Sequence, residues 1–277
     1  MRCPQCHTEL PEGARFCFQC GAPQPAAAAT QEDSLLVDLD KALDPQLTDL
    51  FLKKLHKQVE EQQPGADPAA YAEHFYQSGF RDMLYRRQHQ LKSKLERQQQ
   101  EGATAAAINR IVELELLELL DYFIIHFCKH LNTSPLPEAI LRYQGLGWYE
   151  IDLSAMVFSY LDFESEPNER VYTDLIKIPV EKLKNAGKFF LFPEQREERI
   201  FFICDQSLLG SCKEGFAMTD QALYWKAHLQ TARRVRYRGP LEVEREKGWL
   251  LINGEFFNAN PRLNIRMMKL LRKLARL

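Results

Sequence analysis

The sequence predicts a multi-domain α+β protein: a small cysteine-built module at the N-terminus, a helical hairpin or bundle in the middle, and a C-terminal antiparallel sheet capped by a helix. Three observations carry this prediction. Four of the seven cysteines fall in two Cys-x-x-Cys pairs within the first 20 residues. Apolar residues recur at helical spacing over 45–133. Beyond residue 188, short β-branched and aromatic runs alternate with turn signals and end in an amphipathic helix.

With 277 residues, 45% of them hydrophobic, the chain is long enough for two ordinary domains and an accessory module. A net charge of −2 gives no global attraction to nucleic acid or to an anionic bilayer, so such binding would need a local patch. The most apolar stretch, 114–127, is interrupted by Glu115, Glu118 and Asp121 and falls short of the roughly 20 residues a membrane crossing requires. Because the first cysteine is Cys3, no secretory signal is legible before it. Cys128, Cys204 and Cys212 are scattered through apolar contexts, as in a reducing compartment. The expectation is a cytoplasmic protein without a transmembrane segment.

The module comes first. Cys3, Cys6, Cys17 and Cys20 form two Cys-x-x-Cys pairs separated by ten residues. Tetrahedral Zn²⁺ takes four soft ligands, and each pair turns tightly enough to place two sulfurs on one ion. Pro4 and Gly21 suit those turns. A segment this short has no independent core, so metal binding would supply its folding energy, on the order of 10 kcal/mol. The competing reading, a disulfide pair, fits a reducing setting poorly. The run Cys3-Pro4-Gln5-Cys6 through Phe16-Cys17-Phe18-Gln19-Cys20-Gly21 resembles the short zinc-ribbon family found at the N-termini of many bacterial proteins, over residues 1–22. The resemblance implies one structural Zn²⁺ with a closed ligand shell, leaving His7 a bystander. Arg2 and Arg15 balance Glu9 and Glu12, whereas nucleic-acid binders cluster their cations, so a protein contact is the better expectation for this module.

Residues 23–44 read as a flexible linker: Pro23-Gln24-Pro25, four alanines, then an acidic run through Glu32, Asp33, Asp38, Asp40 and Asp44. Its apolar residues Leu35, Leu36, Val37 and Leu39 are able to dock on a neighbouring surface. In the helical region, 45–133, Leu47, Leu50, Phe51, Leu55 and Val59 mark a first helix stopped at Pro64-Gly65. Asp67-Pro68 starts a second, predicted to run through Phe75, Phe80, Leu84, Leu91 and Leu95. Gly102 breaks it and Thr104 caps a third. His126 and His130, four apart near Cys128, have metal-like spacing but lack the Glu and third ligand of a zinc protease, and read as structural.

A mixed connecting region, 134–188, holds one expected short helix at 180–186. Gly145-Leu146-Gly147 lacks the third glycine of a dinucleotide site. Over 189–277 strands are expected at 189–192, 199–204, 215–218, 222–226, 233–237, 241–245, 249–252 and 255–257, the last two joined by Asn253-Gly254, then a helix from Pro261 to the end. The residues Gly215-Phe216-Ala217-Met218-Thr219-Asp220, Leu223-Tyr224-Trp225 and Ile252-Asn253-Gly254 resemble the bacterial PH-like family, which implies a bent antiparallel sheet plugged by a C-terminal helix and a binding or scaffolding role.

Two basic clusters stand out. Arg262, Arg266, Lys269, Arg272, Lys273 and Arg276 line the closing helix, read here as a solvated rim around leucines that plug the sheet. Arg233, Arg234, Arg236 and Arg238 lie along one strand. Cys204 and Cys212 read as buried strand residues. With no complete catalytic constellation legible, the leading expectation is a non-enzymatic zinc-binding adaptor or scaffold with a protein partner. The alternatives are binding of an anionic ligand, membrane surface or nucleic acid through the basic C-terminal face, and an enzyme with its site in 136–190.

Overall fold

The computed structural model describes Cys6, Thr8 and residues 34–194 and 197–277. They form two compact units, one from Met1–Phe51 and Arg81–Leu119, the other from Leu52–Phe80 and Leu120–Leu277. The fold is mixed helix and antiparallel sheet, as the composition and patterning predict.

The first unit takes α1 (Leu43–Gln62) as far as Phe51, α3 (Phe80–Gln100) from Arg81 and α4 (Ala105–Tyr122) as far as Leu119, and the remainder of each helix belongs to the second. Leu43, Leu47 and Phe51 on α1, Leu84, Leu91 and Leu95 on α3, and Ile108, Val112, Leu116 and Leu119 on α4 are buried at three-, four- and seven-residue spacings, one apolar stripe per helix. The turn between α3 and α4 follows its sequence. Gly102 takes φ +80°, its N–H donates to Gln99 O and the Ala103 N–H to Gln98 O, which satisfies the last carbonyls of α3. Thr104 Oγ1 then accepts from Ala107 N at 3.2 Å and caps α4. In the segment read as linker, Val37 and Leu39 are buried, and Asn109 bonds Ser34 O and Leu36 N at 2.9 and 2.7 Å.

In the second unit, α2 (Pro68–Gln77) starts at the expected Asp67 cap, whose carboxylate accepts from Ala69 N. The long second helix expected from Asp67 is two helices. Gly79 adopts φ +74° after Ser78, which closes α2 and lets α3 begin at Phe80. Phe75 packs edge to face on both Phe80 and Phe123, which meet each other at a tilt, and the end of α4 continues as a π-helical turn, Phe123–Phe127.

Helix α5 (Leu153–Leu161), strand β1 (Arg170–Tyr172) and helix α6 (Val180–Phe189) precede the sheet strands β2 (Ile200–Asp205), β3 (Gly215–Thr219), β4 (Ala222–Lys226) and β5 (Arg233–Arg236). These pair antiparallel in the order β1-β2-β3-β4-β5. A second antiparallel sheet joins β6 (Val243–Glu246), β7 (Trp249–Ile252) and β8 (Glu255–Phe257), with Asn253 and Gly254 both at positive φ in the β7–β8 turn. Helix α7 (Pro261–Leu274) closes the chain, capped by Asn260 Oδ1 accepting from Leu263 N. The strand expected at 189–192 is instead the end of α6 and the loop after it, because Phe190 and Leu191 pack on the sheet rather than pair with it.

Both faces of the larger sheet are covered. Phe202, Phe216, Met218, Leu223 and Trp225 face a core with α5, α7 and the smaller sheet. Ile203, Ala217 and Tyr224 face Ala186, Phe190 and Leu191 at and beyond the end of α6. Double coverage explains why β2, β3 and β4 read as continuous apolar runs instead of alternating ones. The indole N–H of Trp225 donates to Phe256 O at 2.8 Å and ties the two sheets together.

Candidate functional site

Of the four expected zinc ligands, Cys6 is described; Cys3, Cys17 and Cys20 lie outside the described residues, as does His7. Cys6 is half-buried, with Sγ 3.2 Å from Thr8 Oγ1. A metal-bound sulfur is a thiolate and cannot donate, so with Zn²⁺ present the Thr8 hydroxyl would donate to it, an outer contact of the kind that tunes ligand sulfurs. Four cysteines in two tight pairs are a donor set suited to a structural Zn²⁺.

The closing helix departs from its expected role. Arg262 and Arg276 near its two ends are exposed as expected, but the middle of α7 runs through the interior, buried on nearly every side from Leu263 to Leu271, and takes Arg266 and Lys269 with it. Arg266, 4% exposed, donates to Leu161 O, Asp162 O and Ser165 Oγ at 3.1, 3.2 and 2.8 Å and reaches Glu166 at 3.3 Å. It thus supplies the C-terminal carbonyls of α5 with donors at the point where Asp162 turns left-handed, φ +46°. Burial pulls the guanidinium pKa down, opposed by Asp162 and Glu166. Lys269 pairs with Asp121, which also accepts from Gln58 at 2.7 Å. Arg272 grips Glu61 with two bonds of 2.6 Å and donates to Val243 O at 3.0 Å, while Lys273 donates to Leu146 O at 3.1 Å. A cation stays buried when paired and hydrogen-bonded, so these side chains are structural.

The second cluster is also matched. Arg234 and Arg236 both pair with Glu194, holding its carboxyl below the usual range, and Arg233 pairs with Glu255 at 3.0 Å. Arg238 stacks on Trp148, 4.5 Å from the ring centre.

His126 is bonded to Glu138 at 2.7 Å and stacked on Tyr122, whereas His130 meets His74 edge to face, so the two do not converge. Cys128, Cys204 and Cys212 are fully buried; burial pushes the Cys128 and Cys212 thiols up to about 12 and Cys204 well upward. Cys204 lies on β2 as expected, but Cys212 lies in the loop after it, at φ +57°.

Sequence reasoning missed a cluster around Asp205, whose side chain is wholly buried. Oδ1 accepts from Ser207 N at 3.0 Å, Ser207 Oγ at 2.5 Å and Cys212 N at 3.1 Å. Oδ2 has no hydrogen-bond partner but lies 3.6 Å from Lys182 Nζ and 4.0 Å from Arg170 Nη1. Lys182 also donates to Tyr172 OH, and Arg170 to Ser207 O at 3.2 Å. Asp205 and Ser207 are two residues apart in sequence, but Arg170, Tyr172 and Lys182 reach them only through the pairing of β1 with β2 and the packing of α6. The cluster fixes the loop 206–214. A cleft of about 210 Å³ is lined by Trp148, Ile151, Leu153, Asp220 and Leu277.

Residues 2–24 match the family model of the zinc-ribbon domain, a family that implies binding of a zinc ion. No curated protein and no solved structure matches the chain. Among the described residues, no helix is long and apolar enough to cross a membrane.

Proposed function

We propose that the protein is a non-enzymatic cytoplasmic adaptor, in which Cys3, Cys6, Cys17 and Cys20 hold one structural Zn²⁺ and the ribbon so formed recognises a protein partner. The C-terminal α+β unit, a PH-like sheet closed by α7 and backed by α6, serves as the scaffold. The zinc-ribbon match at residues 2–24 carries this reading, because that module has balanced charge and no cation cluster. The internal pairing of Arg266, Lys269 and Arg272 supports it further: side chains already committed to Glu166, Asp121 and Glu61 have little left for an anionic ligand.

The test is affinity capture from lysate of the native host with the full chain and with Cys17→Ser/Cys20→Ser, read by quantitative mass spectrometry. A stoichiometric protein recovered by the wild type and lost by the variant is expected. Equal recovery by both, or no enriched protein, overturns the ribbon as the contact.

A further inference from the structure

Antiparallel pairing brings two loops to one end of the larger sheet. Asp205 at the end of β2 is registered with Gly215 at the start of β3, and Gly215 with Lys226 at the end of β4. The loops 206–214 and 227–232 therefore leave the sheet side by side, and His228 Nδ1 meets Glu214 Oε1 at 2.9 Å to join them. Each contains a tight turn. Gly210 N donates to Ser207 O at 3.1 Å, which places Leu208 and Leu209 at the two central positions. Gln230 N donates to Ala227 O at 3.1 Å, which places His228 and Leu229 there.

Turn centres ordinarily carry Gly, Asn, Asp, Pro or Ser. Here they carry three leucines that are 90%, 90% and 88% exposed. Leu229 also holds φ +57°, a conformation that disfavours a bulky side chain and that Gly or Asn would adopt with less strain. The tips are nonetheless firmly built. Asp205 ties down Ser207 and Cys212, Asn185 donates to Ser211 O at 2.7 Å, and a Cβ at Gly215 would overlap the Cys204 carbonyl. A rigid base under exposed leucines marks a surface meant to be covered.

We propose that this end of the sheet inserts Leu208, Leu209 and Leu229 into the interface of an anionic membrane. The charge around the tips fits that occupant. Lys213 in the first loop and Lys188, which share the Phe189 ring, are exposed, and Arg170 beside that loop is half-exposed, while the carboxylates of the two loops are Asp205, fully buried, and Glu214, largely so. Long cationic side chains can keep their heads at the phosphates while aliphatic tips enter the acyl region. A protein groove is the less suitable occupant, because protein hot spots favour Trp, Tyr and Arg over Leu.

The test uses the purified full chain in co-sedimentation with phosphatidylcholine vesicles, with and without about one-third phosphatidylglycerol. Binding to the anionic vesicles, weakened by salt, is expected. Leu208→Glu/Leu209→Glu and Leu229→Glu should each weaken it by about tenfold or more, with melting temperatures unchanged because the side chains are exposed. Tyr149→Glu, equally exposed but beside Trp148, should bind as the wild type does. Fluorescence of Leu208→Trp should shift to the blue on adding anionic vesicles. Failure of the wild type to bind either vesicle, or equal binding by the leucine variants, overturns the proposal. The assay contains no second protein, so its outcome is independent of the capture experiment.

Discussion

At the scale of single residues, the account turns on cations that the sequence shows as a stripe and the fold uses as internal struts. Arg266→Met removes the donors at the end of α5 and strands Asp162 and Glu166, and should cost about 3 kcal/mol in urea unfolding. Arg266→Lys should recover little, because one ammonium cannot sit both at Leu161 O, Asp162 O and Ser165 Oγ, where Nη1 lies, and beside the Asp162 carboxylate, where Nη2 lies. The buried thiols give a pH dependence. Cys128 and Cys212 have folded pKa values raised from 9 to about 12, so the unfolded chain loses protons first as pH climbs. Their contribution to stability is full below pH 9 and declines between 9 and about 12. Urea midpoints measured from pH 7.5 upward should therefore fall beyond pH 9, and a Cys128→Ala/Cys212→Ala variant should show a flatter decline. The stripe of Arg and Lys on α7 looked solvated because amphipathic spacing reports where leucines lie. It says nothing of acidic residues more than a hundred positions away, such as Glu61 and Asp121, that fold back against the helix.

At the scale of elements, local chemistry was legible wherever it decides the outcome. Thr104, Gly102, Asp67-Pro68 and Asn253-Gly254 act as the caps and turns their identities predict, and α7 starts at the expected Pro261. Strands β4, β7 and β8 have the predicted bounds. The expected continuity from α2 into α3 failed at Ser78-Gly79, where the apolar pattern persists but the backbone turns left-handed. Strand β1 was illegible because Arg170–Tyr172 is three residues long and gains its identity only by pairing with β2. The exposed Leu208-Leu209 turn was hidden for the opposite reason, since adjacent leucines ordinarily signal burial. Gly215 offers a sharp test of the hairpin. Its φ of +144° and its approach to the Cys204 carbonyl leave no room for a methyl group, so Gly215→Ala should lower stability by about 2 kcal/mol or more in denaturant unfolding. Gly187→Ala, with open space around the added carbon, should not destabilise.

For the whole molecule, the cysteine pairs were the most legible feature of the sequence, and the zinc-ribbon match at residues 2–24 agrees with them. A partner for the proposed adaptor is not legible in the sequence, because recognition by a small charge-balanced module would depend on the surface it meets. The proposed zinc-held N-terminus, joined to residues that fold without the metal, can be tested by removing the metal. The most direct measurement is chelator titration of the purified full chain, following zinc release, thiol titre and the main thermal transition together. The account predicts one zinc released per chain, four thiols gained, and an unmoved main transition, since Cys128, Cys204 and Cys212 stay buried and protonated. Absence of zinc from the purified chain, or collapse of the main transition as zinc leaves, would contradict it.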